Sequence, residues 1–298
     1  MTISTGVLRP KGASFASGQR TAGLLRAMAV VWTFARNSVI REMMFRTNFL
    51  VETLASMLWV GANIGFYLLI FQYTPSIGAG TGWGRYEFFI FLATSLMINS
   101  IVHTIFMPNA DLLSERIRTG LLDFVLVKPM DTQLLVSFER LDLSTAGNFL
   151  VGVVLLLFSL AQLGWTPGLV PIALYLFYVL CGVAILYSFM FSLAATTVWL
   201  GRNQTLYDFW FYLTIFGRYP MEIYRGTLGT PLRLLFTYLL PILVVVNVPV
   251  RFLVRPLYPQ SAADWLLPGF ALLATLVCLW TCRRVFTAAI ESYRSASS

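Results

Sequence analysis

The sequence predicts an all-α polytopic membrane protein, and three observations carry that prediction. Hydrophobic residues make up 58% of the 298 and charged residues only 11%, against about 25% charged in a soluble domain. Mean hydropathy is +0.75. The apolar stretches are long and continuous instead of alternating with period two. Backbone polar groups in lipid must be satisfied within a helix or a closed barrel, and unbroken runs select the helix.

The formal net charge is +8. Its carriers are not gathered into one soluble patch, so nucleic acid is not an expected partner. They lie between apolar runs, where Lys and Arg orient a membrane protein. Cys181, Cys278 and Cys282 fall in apolar runs with no CxxC spacing and read as small buried hydrophobes.

The elements follow in order. Residues 1–19, rich in Gly, Ser and Thr, read as a disordered cytoplasmic tail. Residues 20–47 mix apolar side chains with Arg20, Arg26, Arg36, Arg41 and Arg46 and contain no Pro. They read as an amphipathic helix at the membrane interface, the alternative being a charged flank of the first span. Spans are expected at about 48–72, 86–107, 143–163, 168–200, 203–217 and 264–282, six in all, with a charged loop at 108–140. The run 168–200 carries no charge in 33 residues and exceeds a hydrocarbon core of roughly 30 Å, so it should tilt or project beyond the membrane. Between 218 and 255, Tyr219 and Pro220 open a stretch broken by Pro241 and Pro249. Proline interrupts helices, so two short helices in a re-entrant hairpin suit this stretch better than a straight span. With the hairpin outside, fifteen Lys and Arg fall on the N-terminal side and six on the other, which places both termini in the cytoplasm.

Chemistry is sparse. Lys11 and Lys128 are the only lysines and neither sits in a phosphate-loop motif. One histidine and no HExxH give no reason to expect a metal, and no GxSxG elbow occurs. The polar residues within spans are the candidates for a substrate path: Asn63, Asn99 and His103, with Trp210 in an aromatic cluster. Asn99 and His103 share a helical face and equally suit an interhelical hydrogen bond; the aromatics equally suit an interfacial belt.

The loop 108–140 is the most informative stretch. Charges of both signs interleave with Ile117, Leu121, Leu122, Phe124, Val125, Leu126 and Val127. This reads as a short amphipathic helix that Lys128-Pro129 ends. Its apolar face calls for a partner or lies on the membrane surface.

The run Ile117-Arg118-Thr119-Gly120-Leu121-Leu122-Asp123 with Lys128-Pro129, the run Phe216-Gly217-Arg218-Tyr219-Pro220, and the pair Pro241 and Pro249 together resemble the ABC-2 type transporter permeases. The closest likeness is to a bacterial subfamily whose domain was formerly of unknown function. The resemblance implies a type V exporter-like fold of six transmembrane helices, an interfacial helix and a re-entrant hairpin before the last span. It implies two permease subunits, identical or similar, on two separate ATPase subunits that bind ATP and Mg. This chain would then hold no cofactor and be no enzyme itself. It also implies a coupling helix, here about 111–127, with Glu115, Arg116, Arg118, Gly120, Leu122, Asp123, Lys128 and Pro129 at the ATPase contact. Export of a hydrophobic or amphipathic substrate across a cytoplasmic (inner or plasma) membrane is the expected function; a membrane-embedded lipid enzyme and a passive channel-like subunit are the alternatives.

Overall fold

The computed structural model describes residues 13–44, 46–78, 81–201, 211, 214–254 and 257–293, with side chains from residue 29 onward except at 46 and 48. Among these residues every regular element is a helix, apart from one isolated antiparallel bridge between Ser76 and Gly84.

Helix α1 covers Ala13–Met44 and α2 covers Arg46–Tyr73. The first therefore starts seven residues before the expected position at 20, inside the stretch read as tail. Pro10 is the last proline upstream, and no proline after it interrupts the helix. Helix α3, Arg85–Ile101, passes through a π-turn at Val102–Phe106 into α4, Met107–Thr119. The expected end near 107 is corrected: one helix runs on to residue 119. Pro108 explains the π-turn. It has no N–H to give the carbonyl of Thr104, which instead accepts the N–H of Asp142 at 2.9 Å.

Within the loop lie α5 (Asp123–Leu126) and α6 (Thr132–Ser137), and after it α7 (Ala146–Gln162), α8 (Leu169–Ala195) and α9 (Thr197–Leu200). The expected span 203–217 falls largely outside the described residues. Helix α10, Gly226–Leu234, continues in a π-turn through Leu239 and meets α11, Leu243–Leu253, at a bend of 89°. Pro241 sits at that bend. A capping box of Ser261 and Asp264 starts the last helix, α12, Leu266–Ser292. It continues ten residues past the expected end at 282, so Arg283 and Arg284 lie within it.

Five of these helices are long and apolar enough to cross a membrane, and the bent pair makes a sixth if it counts as one span. Burial sorts them. Phe88, Phe89, Ile90 and Phe91 are consecutive on α3 and all buried, as are residues 243–250 of α11. A helix buried all round is central, so α3 and α11 form the core, and α8 packs its buried face against α11. Leu54, Leu58 and Trp59 of α2, Leu150 and Val154 of α7, and Leu273 and Leu276 of α12 are exposed. Water would penalise such a surface; lipid is as apolar as the leucines and does not.

Pro249 creates one further close contact. It leaves the carbonyl of Val245 without its helical N–H donor, and α8 meets that carbonyl at Gly182. A Cβ there would lie 2.8 Å from the Val245 oxygen and 3.0 Å from its Cγ1. Gly182→Ala should therefore force α8 and α11 apart, costing about 1–3 kcal/mol and lowering the thermal midpoint of the purified chain. An unchanged midpoint would show that the contact relaxes freely.

Candidate functional site: the loop after the second span

The loop is held to the chain by its own polar groups. Gly120 adopts φ 76°, ψ 1°, the left-handed conformation that favours glycine and stops α4. This corrects the expected single helix over 111–127: an α-helix cannot continue through that backbone, so the segment divides into α4 and the one-turn α5. Asp131 then caps α6 by accepting the Leu134 N–H at 3.0 Å.

Three contacts fold the hairpin shut. Arg116 donates to both carboxylate oxygens of Glu139 at 2.5 and 2.6 Å, with both side chains about four-fifths buried. Asn109, fully buried, donates to the Arg140 carbonyl at 2.7 Å and accepts its N–H at 2.9 Å. The Leu141 N–H donates to Ser38 on α1 at 3.0 Å, so the first helix is fastened to the loop. A fourth contact joins the loop to the last helix, where Arg283 of α12 pairs with Asp131 at 2.6 Å.

Two of the expected contact residues are placed inside. Leu122 is 0% exposed, so its side chain anchors the turn instead of facing outward. Arg116 is occupied by Glu139. Glu115, Arg118, Lys128 and Pro129 are exposed, Asp123 is half-buried, and Gly120 acts through its backbone. What the outer surface presents is apolar: Leu121 at 49%, Phe124 at 70% and Val127 at 81% exposed. These three share one side at three-residue spacing, while Leu122 and Val125 between them point inward. The result is an apolar spot flanked by Arg118 and Lys128 on a braced frame.

Burial pushes the Glu139 carboxyl up, but the hydrogen bonds and charge of Arg116 outweigh it and hold the group below its ordinary value. The sign follows: a lowered folded pKa adds stability above the unfolded value, and that stability is lost as pH falls through the folded one. The brace should thus persist at neutral pH and open only on acidification below the ordinary glutamate range. Hydrogen exchange at residues 139–142, corrected for intrinsic rates, should show protection lost on acidification, and lost already at neutral pH in Arg116→Gln. Protection that is the same in both proteins and at both pH values would remove the brace from the account.

A family model described as an ABC-2 family transporter protein matches residues 57–297. The chain belongs to the ABC-2 transporter family. No curated protein and no solved structure matches it. Family and apolar helices together make the ABC-2 permease a multi-pass transmembrane transport protein.

The proposed path residues of the permease are dispersed. The Asn63 amide donates to the Trp59 carbonyl at 2.8 Å and that of Asn99 to the Ser95 carbonyl at 2.8 Å, so each amide is taken by its own helix. His103 is half-buried in the π-turn. Trp210 lies outside the described residues. In the hairpin region Tyr219 is 40% exposed, whereas Pro220, Pro241 and Pro249 are buried.

A second polar centre escaped the sequence reading. Glu222 accepts a hydrogen bond from Trp83 Nε1 at 2.9 Å and pairs with Arg251 at 2.6 Å. Trp83 is 0% exposed. Nearby, Asn247 accepts the Met221 N–H at 2.9 Å and donates to the Leu243 carbonyl at 2.7 Å. This centre ties the loop before α3, the turn at Met221–Ile223 and α11 into one unit. The sequence signal was a buried-type Trp beside the Gly-rich loop, with Glu222 and Arg251 both in a stretch otherwise read only for its prolines.

Proposed function

We propose that the permease is the membrane-spanning half of an ATP-driven exporter, powered by separate ATPase subunits that dock on the loop around Leu121, Phe124 and Val127. The observation that carries this reading is the apolar spot on a rigid frame. A soluble loop has no use for three exposed apolar side chains at one spacing, and buried apolar anchors with a charged rim are how protein interfaces are built. Membership of a transporter family and the lack of a phosphate loop in the sequence support an external source of ATP and Mg. Arg118 and Lys128 supply the charged rim.

The topology proposed with this reading puts both termini and the docking loop in the cytoplasm, following the excess of Lys and Arg on that side, and α1 along the inner surface. A second permease subunit, identical or similar, completes the assembly, and the cargo is hydrophobic or amphipathic. ATP binding closes the ATPase pair, and the differential free energy between the two states moves the loop and the helices fastened to it.

Co-expression of the permease with candidate nucleotide-binding subunits, followed by purification in mild detergent, tests the reading. A stable complex whose ATPase rate rises over that of the free ATPase supports it. The permease purifying alone under these conditions favours the passive, channel-like alternative.

A further inference from the structure

An open cavity of about 430 Å³ lies between α6, α8 and α12, a size within the usual range for small-molecule sites. Its composition is divided. Phe106, Phe138, Leu180, Val183, Ala184 and Leu279 form apolar walls, and Asp131, Gln133, Tyr187 and Arg283 form a polar rim. The mouth faces the lipid side, because Leu180 is 65% and Leu279 38% exposed. The rim includes the end of the apolar run of α12, which is uncharged from Leu266 to Cys282, Arg283 being the first charge.

The rim is built and held in place. Arg283 donates to Asp131 at 2.6 and 3.1 Å and to the Gln133 side-chain oxygen at 3.0 Å. Gln133 in turn donates to the Tyr187 hydroxyl at 3.1 Å, and that hydroxyl lies 2.9 Å from Ser137 Oγ. The charged pair itself stays accessible, with side chains 54% and 44% exposed. An exposed pair contributes little to stability, so it opens readily for a ligand that offers each partner a replacement. Such a ligand carries a negative and a positive group a few ångströms apart on an apolar tail.

We infer that this cavity binds a zwitterionic phospholipid from the leaflet on the loop's side of the membrane, its phosphate on Arg283, its ammonium on Asp131 and an acyl chain along Leu180, Val183, Ala184 and Leu279. Guanidinium and phosphate match as a planar donor fork to a multi-oxygen acceptor, and carboxylate and ammonium complete the charge balance. A purely anionic lipid would leave Asp131 facing an anion. The cavity lining shares no residue with the docking spot of Leu121, Phe124 and Val127, so lipid binding can be read on the isolated chain whether or not an ATPase docks.

The test uses the full chain in nanodiscs with photoactivatable lipids that carry a diazirine on the acyl chain, read by peptide mapping. Phosphatidylethanolamine should label residues 180–187 and 279–283 about ten-fold more than headless diacylglycerol, the worth of one charge-assisted contact, and more than phosphatidylglycerol. Arg283→Gln should remove most of that labelling, Ala184→Trp should remove it by filling the cavity while leaving the charged pair, and Asp131→Asn should erase the preference over phosphatidylglycerol. Equal labelling by diacylglycerol, or undiminished labelling in Ala184→Trp, overturns the site. A preference for phosphatidylethanolamine that survives Asp131→Asn overturns the zwitterion assignment. The head and tail variants are independent, so one that fails to fold leaves the other to decide.

Discussion

Replacing Phe124 with glutamate is expected to abolish the proposed ATPase docking without unfolding the permease. Phe124 is 70% exposed, and Val127 beside it 81%, so the chain's own core loses nothing. Docking would bury both, and a carboxylate in a desolvated apolar pocket is strongly disfavoured. Loss of a central aromatic anchor costs roughly 2 kcal/mol or more, which is about thirty-fold in affinity. Equilibrium binding to the purified ATPase should fall by at least that factor, while the thermal midpoint of the permease alone stays put. Arg118→Glu acts differently: a rim charge mainly changes the association rate and its salt dependence. Val125→Glu, at a site only 3% exposed, should disrupt the loop itself and is the contrasting control. Full binding by Phe124→Glu and Val127→Glu would move the docking surface elsewhere.

Glu222→Ala should be the most destabilising of the changes considered. It strands Arg251 in a buried setting and takes the acceptor from Trp83 Nε1. Breaking a buried ion pair from one side costs about 3–5 kcal/mol, on the order of a 10 °C fall in thermal midpoint for a chain of this size. Glu222→Gln keeps an acceptor for Trp83 and should fall between. The double change Glu222→Leu with Arg251→Met separates two roles. Replacing both charges with apolar groups is often neutral for stability, so a stable but inactive double variant would assign the pair to transport. If Glu222→Ala melts like the wild type, the centre is not buried in the functional protein.

The membrane class was legible because it depends on composition alone: 11% charged residues cannot clothe a water-facing surface. The proline-broken segment was legible for a local reason, since Pro241 acts on its own backbone, and a bend of 89° stands there. The loop was legible in part. Its apolar residues were visible, but which of them face outward depends on Gly120, whose positive φ ends α4 and shifts the turn that follows. A glycine after Arg118-Thr119 carried that stop signal; the resemblance put Leu122 at the contact, whereas the turn that follows Gly120 buries it. The polar centres were not legible, because they are pairings across the chain. Trp83 and Glu222 are 139 residues apart, and Arg283 and Asp131 are 152. No periodicity reports such a meeting; only the packing of α3, α8, α11 and α12 does.

The uninterrupted helix from Arg85 to Thr119 has a mechanical meaning. Its 35 residues reach about 52 Å at 1.5 Å per residue, longer than the membrane is thick. Gly120 sits at one end and Trp83 just beyond the other. Such a rod behaves as a crankshaft: it has no loop in which to dissipate a twist, and its one soft joint is the π-turn at Val102–Phe106, beside the Thr104–Asp142 tie. Under the proposed docking, a twist applied at Gly120 would reach the end beside Trp83, whose Nε1 donates to Glu222.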